Sequence, residues 1–335
     1  MAAGLIILNF AAWAWALVEF RNVPVLLGTG MLAYSFGLRH AFDADHIAAI
    51  DNVTRKLMQE NQRPVGVGLY FSLGHSTVVV LASVLVAAGA GIFTERYGGY
   101  RDIGGLIGTS VSVLFLFAIA IANIFIFLGL YRAFKRVTRG GHYAEEDLDV
   151  LLANRGALSR IFKSVFRLIQ HSWQMYPLGF LFGLGFDTAT EIGLLGISAT
   201  IASNGVSGWS LLIFPALFTA GMALMDTLDS ILMLGAYGWA FVKPIRKLYY
   251  NLIITGVSVV VALLIGSVEA LGLIASKLAL HGSFWEAVGD ATAAFGTLGY
   301  LIVAIFVASW IASVLVYRWK AYDRIEVTEG DINKV

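Results

Sequence analysis

The segment RHAFDADHIAAIDN, at positions 39–52, places many ionisable side chains in a short stretch of sequence. His40, Asp43 and His46 recur every third residue, so in a helix they form one broad stripe about two turns long. Asp45 points to another face, where it could pair with the arginine of the same segment or orient a ligand. Imidazole and carboxylate groups in this arrangement are typical ligands of a divalent metal ion.

Three further segments carry ionisable residues within apolar sequence. His75 lies in FSLGHSTVV, and Asp226 lies in GMALMDTLDS. Asp187 and Glu191, in LGFDTATE, are four residues apart and share a helical face. An acidic pair of this kind could ligate a cation or relay protons. The candidate metal ligands are His40, Asp43, Asp45, His46, His75, Asp187, Glu191 and Asp226.

The types of ligand narrow the choice of metal. The chain contains no cysteine, which excludes thiolate sites for soft ions. Carboxylates alone would suit Mg²⁺ or Ca²⁺, whereas imidazole favours nickel, copper, zinc and iron. The combination of histidines and carboxylates predicts a divalent transition metal of intermediate softness.

The elements that position these residues are predicted to be transmembrane helices. Hydrophobic residues make up 58% of the 335 residues, and charged residues only 13%. Soluble domains usually carry about 25% charged residues. The mean hydropathy is +0.78, and a net charge of +1 gives no indication of nucleic-acid binding. The composition therefore indicates an all-α, polytopic membrane protein.

Long apolar segments define eight expected transmembrane helices in a single transporter domain, 1–335. Most of the 23 lysine and arginine residues fall in loops on one side. By the positive-inside rule, both termini are cytoplasmic. The first segment lacks a basic region before it and is predicted to be a retained helix. The predicted spans are 3–20, 25–52, 65–91, 104–131, 175–201, 209–241, 248–275 and 287–317, with a cytoplasmic loop at 132–172.

A weak internal repeat relates two parts of the chain. FGLRHAFDADHI begins at Phe36 and FGLGFDTATEI at Phe182. FSLGHS begins at Phe71 and FTAGMA at Phe218, at the same separation to within one residue. The repeat maps helices 2–4 onto helices 5–7, and three spans per copy require opposite orientations. Inverted repeats are typical of secondary transporters.

The ionisable segments resemble, in order, the signature motifs of the nickel/cobalt transporter (NiCoT) family. RHAFDADHIAAIDN resembles the helix-2 signature, in which H-x4-D-H corresponds to His40, Asp45 and His46. LGHSTVVV, LGFDTATE and GMALMDTLDS resemble the second, third and fourth motifs. The resemblance covers nearly the whole chain. It implies an eight-span permease for high-affinity uptake of Ni²⁺ or Co²⁺ across the cytoplasmic membrane.

The expected mechanism is secondary transport, with the metal bound by helix 2 together with helices 3, 5 and 6. The sequence has no G-x-x-x-x-G-K motif, so neither ATP nor an ATPase subunit is expected. The ion is the substrate, no cofactor is expected, and the expected partner is the lipid bilayer.

Two other functions are compatible with intramembrane histidines and aspartates. One is a transporter of a different solute in which these residues only relay protons. The other is an intramembrane metalloenzyme. The sequence lacks the H-E-x-x-H motif of zinc proteases. Di-iron membrane enzymes would need more histidines than the three in these motifs, so the enzyme is disfavoured.

Overall fold

The fold was analysed in a computed structural model, which is helical through most of the residues that it describes. Those residues are 2–60, 62–88, 94–138, 169–184, 193–195, 197–198, 208–240 and 244–319. The α-helices of this part of the chain are α1 (Ala2–Phe20), α2 (Pro24–His40), α3 (Ala44–Gln59), α4 (Val67–Ala88), α5 (Thr94–Val137), α6 (Met175–Gly183), α7 (Gly208–Leu211), α8 (Ile213–Ala240), α9 (Pro244–Leu278), α10 (Ser283–Ala293) and α11 (Phe295–Trp319).

Six of the described helices are long and apolar enough to cross a membrane. They confirm an all-helical membrane protein, and each overlaps one of the predicted spans. The predicted spans 25–52 and 175–201 are not among the six. The second of these lies partly outside the described residues. The six segments are Ala2–Phe20, Val67–Leu85, Gly105–Val137, Trp209–Gly235, Leu248–Leu278 and Thr297–Tyr317.

The segment 25–52, which is predicted as one span, is divided into two helices, and broken helices of this kind are common at transporter sites. Helix α2 ends at His40, and α3 begins at Ala44. Between them Asp43 is extended, with φ −64° and ψ 142°, which is the usual backbone conformation of an N-cap residue. The Asp43 N–H donates to the His40 carbonyl at 2.9 Å, closing a tight turn.

Helix α11 holds this break from outside. Gly299 of α11 packs so closely on the carbonyl oxygen of Phe42 that a Cβ at position 299 would overlap this oxygen. The rings of Phe42 and Tyr300 stack beside this contact, with centroids 4.4 Å apart. The path of the chain between α2 and α3 therefore depends on a helix about 250 residues further along the sequence.

Glycines also bring the helices around the break into backbone contact. A Cβ at Gly37 of α2 would overlap the Phe218 carbonyl oxygen of α8. Likewise, a Cβ at Gly179 of α6 would overlap the Phe71 carbonyl oxygen of α4. Close approach through small residues is a common way to pack transmembrane helices. Here it fixes α2 against α8 and α6 against α4.

Helix α3 lies at the centre of the described structure. Every residue from His46 to Met58 is buried. One side of α3, including Ile47, packs with residues of α9 and α11. Another side, including Ile50 and Val53, packs with α4 and α6. The polar residues of α3 between His46 and Lys56 are thus enclosed by protein.

Candidate metal-binding site

Three histidines from three helices meet in the protein interior. His40 is the last residue of α2, His46 lies in the first turn of α3, and His75 lies on α4. All three are at least 96% buried. Their ring centroids form a nearly equilateral triangle, with separations of 4.7, 4.7 and 4.8 Å. One ring nitrogen from each lies within 4.8 Å of the others, so the three could hold one ion.

The break between α2 and α3 creates this triangle. In a continuous helix, His40 and His46 would be about 9 Å apart along the axis and about 120° apart around it. The turn at 41–43 brings their ring centroids to 4.7 Å. The two histidines therefore approach one another because the helix is interrupted.

His40 has the contacts of an oriented metal ligand. Its Nδ1 lies 3.0 Å from Oδ2 of Asp43. This carboxylate favours the proton on Nδ1, which leaves a lone pair on Nε2. The Nε2 atoms of His40 and His75 are 2.9 Å apart. Two nitrogens bound at right angles to one ion, at about 2.1 Å each, would lie about 3 Å apart.

His46 has a second carboxylate beside it. Its Nδ1 lies 3.4 Å from Oδ2 of Asp226, and the Ser72 hydroxyl donates to the same oxygen at 2.6 Å. His46 Nε2 and Asp226 Oδ1 are buried, with no hydrogen-bond partner among the described residues. Buried polar atoms are nearly always paired in folded proteins. Two such atoms in one cluster indicate a place for an ion or water.

Phenylalanines close the sides of the cluster. Phe218 lies against His40, with ring centroids 5.5 Å apart. Phe71 meets His46 edge to face at 4.8 Å and lies 6.4 Å from His75. An apolar wall of this kind limits the access of water and strengthens the electrostatic interactions within the site.

The structure brings five of the eight predicted ligands together: His40, Asp43, His46, His75 and Asp226. Asp45 is half-buried, and its Oδ1 accepts the backbone N–H of His46 at 2.9 Å, so its described contact is with the start of α3. Asp187 and Glu191 lie outside the described residues. Sequence reasoning missed Ser72, whose only signal is its position three residues before His75 on the same face of α4.

The donor set suits a divalent transition metal. Three imidazoles provide neutral nitrogen ligands, and the carboxylates of Asp43 and Asp226 balance the charge of a dication. Nickel, cobalt and zinc all accept these ligand types, whereas Mg²⁺ and Ca²⁺ prefer oxygen ligands.

Comparisons with known proteins agree with this chemistry. The family model NicO, described as a high-affinity nickel-transport protein, matches residues 26–316. The chain is 61% identical to a high-affinity nickel transport protein of Cupriavidus necator, over 96% of the chain and 92% of that protein. It is 47% identical to a nickel transporter of Staphylococcus aureus, over 96% and 93%.

A cobalt protein is also among the similar sequences. The chain is 41% identical to a cobalt transport protein of Rhodococcus rhodochrous, over 87% of the chain and 82% of that protein. No solved structure matches the chain.

Proposed function

Because the chain belongs to the NicO family of high-affinity nickel-transport proteins, we propose that it is a secondary transporter that takes up Ni²⁺ or Co²⁺. It is a multi-pass membrane permease and not an enzyme. Relatives named for nickel and for cobalt both resemble it over most of their length. The cytoplasmic membrane, with both termini inside, is the proposed location.

The observation that carries this proposal is the buried triangle of His40, His46 and His75. Ionisable groups inside a bilayer are costly and usually mark the path of an ion or a proton. Here the three rings converge on one point, and two carboxylates adjoin their outer nitrogens. In this proposal the histidines bind the ion, and Asp43 and Asp226 orient them and balance its charge. Asp45, Asp187 and Glu191 complete the set as ligands, positioning groups or proton carriers.

The packing of the helices favours alternating access by an inverted repeat. The sequence repeat pairs α2 with α6 and α4 with α8. Helix α2 packs on α8 through Gly37, and α6 packs on α4 through Gly179. A two-fold relation that exchanges α2 with α6 and α8 with α4 would interchange these two contacts. This supports eight spans in which helices 2–4 and 5–7 are related copies, with the site at their interface.

The membrane potential provides a driving force without ATP. A divalent cation that crosses 100 mV, inside negative, gains about 4.6 kcal/mol, twice the value for a single charge. At equilibrium, this energy corresponds to an ion concentration inside that is more than a thousand times the concentration outside. Transport driven by the potential, with or without a coupled proton, therefore suffices for high-affinity uptake.

Uptake by His46→Ala tests the proposal. Purified protein is reconstituted into liposomes, and accumulation of radioactive nickel is measured under an inside-negative potential. We expect His46→Ala to abolish accumulation and the thermal stabilisation of the protein by nickel, while the protein remains monodisperse. His281→Ala is the matched control, since His281 is exposed and distant from the cluster in sequence. It should behave as the parent.

Two results would overturn this assignment. If His46→Ala accumulates nickel at the rate of the parent protein, the histidine cluster is not the metal-binding site. The second result has two parts: neither nickel nor cobalt stabilises the parent protein, and His46→Ala abolishes the transport of another solute. Together they would favour a histidine that only relays protons.

A further inference from the structure

Beyond the histidine cluster, helix α3 carries polar residues that the metal site does not use. Asp51, Asn52 and Arg55 are all at least 98% buried. They follow His46 along α3, toward the helix end at Gln59. Because burying charge in a membrane protein is costly, a row of such residues needs a physical reason.

These residues face a matching row of polar side chains on α9. The Ser258 hydroxyl donates to Oδ2 of Asp51 at 2.8 Å. One turn further along α3, Nη1 of Arg55 donates to the Thr255 hydroxyl at 2.9 Å. Asn251 lies one turn beyond Thr255 on the same face of α9. We call the facing rows of α3 and α9 the polar seam.

Arg55 joins the two sides of the polar seam. While Nη1 bonds to α9, Nη2 donates to Oδ1 of Asn52 at 2.9 Å. Asn123 of α5 donates to the same oxygen at 2.6 Å. A cavity of about 20 Å³ lies beside Asn52 and Asn123, and Lys56 also lines it. This is enough space for about one water molecule.

The hydrogen bonds of the polar seam are incomplete. Arg55 Nε and Asn251 Oδ1 are buried, with no hydrogen-bond partner among the described residues. Such groups are usually satisfied by water or by an ion. Arg55 on α3 and Asn251 on α9 therefore leave one group on each side of the polar seam that water could satisfy.

We propose that the polar seam between α3 and α9 is the inner half of the cation path, and that Arg55 closes it in this conformation. The polar seam starts next to the histidine cluster and follows α3 to its C-terminal end. The assignment of that end as cytoplasmic rests on the proposed function and orientation. An ion that leaves the histidines would meet the oxygens of Asp51 and Ser258 before it meets Arg55.

The chemistry of Arg55 suits a gate. Its guanidinium is always protonated, so it repels a dication at any physiological pH. Its described partners are the uncharged oxygens of Thr255 and Asn52. Bonds to uncharged oxygens are weaker than a bidentate pair with a carboxylate, so the side chain can swing aside. Arg55 is therefore a positioning and gating residue and not a metal ligand.

Water access to Ser258 tests the gate. Since the chain contains no cysteine, a single Ser258→Cys variant reports on one position. The full-length protein is reconstituted, and the thiol is exposed to a charged, membrane-impermeant methanethiosulfonate from each side. We expect Arg55→Ala to raise the labelling rate from the α3 C-terminal side by about tenfold or more. Arg55→Ala removes the charge-assisted hydrogen bonds from Arg55 to Thr255 and Asn52. The loss of such bonds shifts the equilibrium between the closed and the open polar seam by at least that factor.

Three matched variants separate a gate from general loosening. Thr255→Val removes one partner of Arg55 with little change in volume and should give a smaller increase. Tyr34→Phe removes the bond from the Tyr34 hydroxyl to Asn9 at 3.0 Å, between α1 and α2, and should change nothing. Val260→Cys, on an exposed apolar face of α9, should stay unreactive in every background.

The labelling results test the gate even if one of the variants does not fold. Unchanged labelling of Ser258→Cys in both Arg55→Ala and Thr255→Val overturns it. Thr255→Val alone decides if Arg55→Ala does not fold. An equal increase with Tyr34→Phe, or at Val260→Cys, also overturns it. The labelling needs no nickel, so its failure is distinguishable from a failure of the transport experiment.

Discussion

The Nδ1 atom of His40 lies 3.0 Å from the Asp43 carboxylate, across the turn that separates α2 from α3. The contact directs Nε2 of His40 toward His75, whose Nε2 is 2.9 Å away. Carboxylates that orient metal-bound histidines in this way affect metal affinity nearly as strongly as the ligands do. The geometry of the histidine cluster therefore depends directly on the turn between the two helices.

Asp43→Asn should weaken nickel binding about 10- to 100-fold, the usual effect of losing such a carboxylate. The amide keeps the size of the side chain but loses the charge that favours a proton on His40 Nδ1. Calorimetric titration of the purified protein measures the change. Glu286→Gln is the comparison, because Glu286 is exposed on α10 and belongs to no part of the candidate site. An equal loss in both variants would argue against a specific role for Asp43.

Ser72→Ala should lower nickel affinity by a smaller amount, about tenfold, and Ser72→Thr should restore it. The hydroxyl donates to the Asp226 oxygen that lies 3.4 Å from His46, so its loss frees that carboxylate to rotate. Ser35→Ala is the control, since the Ser35 hydroxyl bonds only to the Met31 carbonyl of its own helix in the described contacts. Failure of the threonine to rescue binding would indicate a packing effect.

Nickel affinity should fall when the pH is lowered far enough for protons to compete with the metal for its ligands. Protonated imidazole has no lone pair, so binding is strongest while the three histidines are neutral and is lost once they are protonated. Calorimetry in buffers of different ionisation enthalpy counts the protons released on binding. An affinity that does not fall at any acidic pH at which the protein stays folded would contradict ligation by imidazole.

Gly299→Ala should destabilise the protein by about 3 kcal/mol or more, since the added methyl would overlap the Phe42 carbonyl oxygen. Nickel binding should weaken with it, because the turn between the helices must shift. Gly289→Ala is the matched control in α10, where a Cβ meets no atom within 4 Å. It should stabilise the protein by about 0.5–1 kcal/mol. Thermal unfolding in detergent, with and without nickel, compares the two; similar melting temperatures would contradict the close packing at Gly299.

Much of the site could be predicted from the sequence, because charge is rare in a membrane and each instance is conspicuous. His40, Asp43, His46, His75 and Asp226 were all selected on that ground. Uncharged residues gave no comparable signal. Ser72, Thr255 and Ser258 are ordinary in transmembrane helices, and their partners are visible only once the helices are assembled.

The break between α2 and α3 is only weakly signalled by local sequence. Positions 41–43, AFD, contain neither proline nor glycine, the usual signals for a helix end, although Asp43 is a residue type that commonly precedes a helix. The break is instead supported by a tertiary contact, between the Phe42 carbonyl and Gly299. The helix propensity of a short segment predicts its structure poorly where tertiary packing favours another conformation. The same break leaves α2 with 17 residues, too few to be counted among the six long apolar helices.

The contact between Gly299 and the Phe42 carbonyl also bears on biogenesis. During synthesis, His40, His46 and His75 enter the membrane long before α11 has left the ribosome. Until Gly299 is in place, the turn at 41–43 lacks its contact with α11. The nascent chain would thus carry all three histidines before the turn that brings two of them together is fully supported, which would weaken metal binding by an unfinished permease.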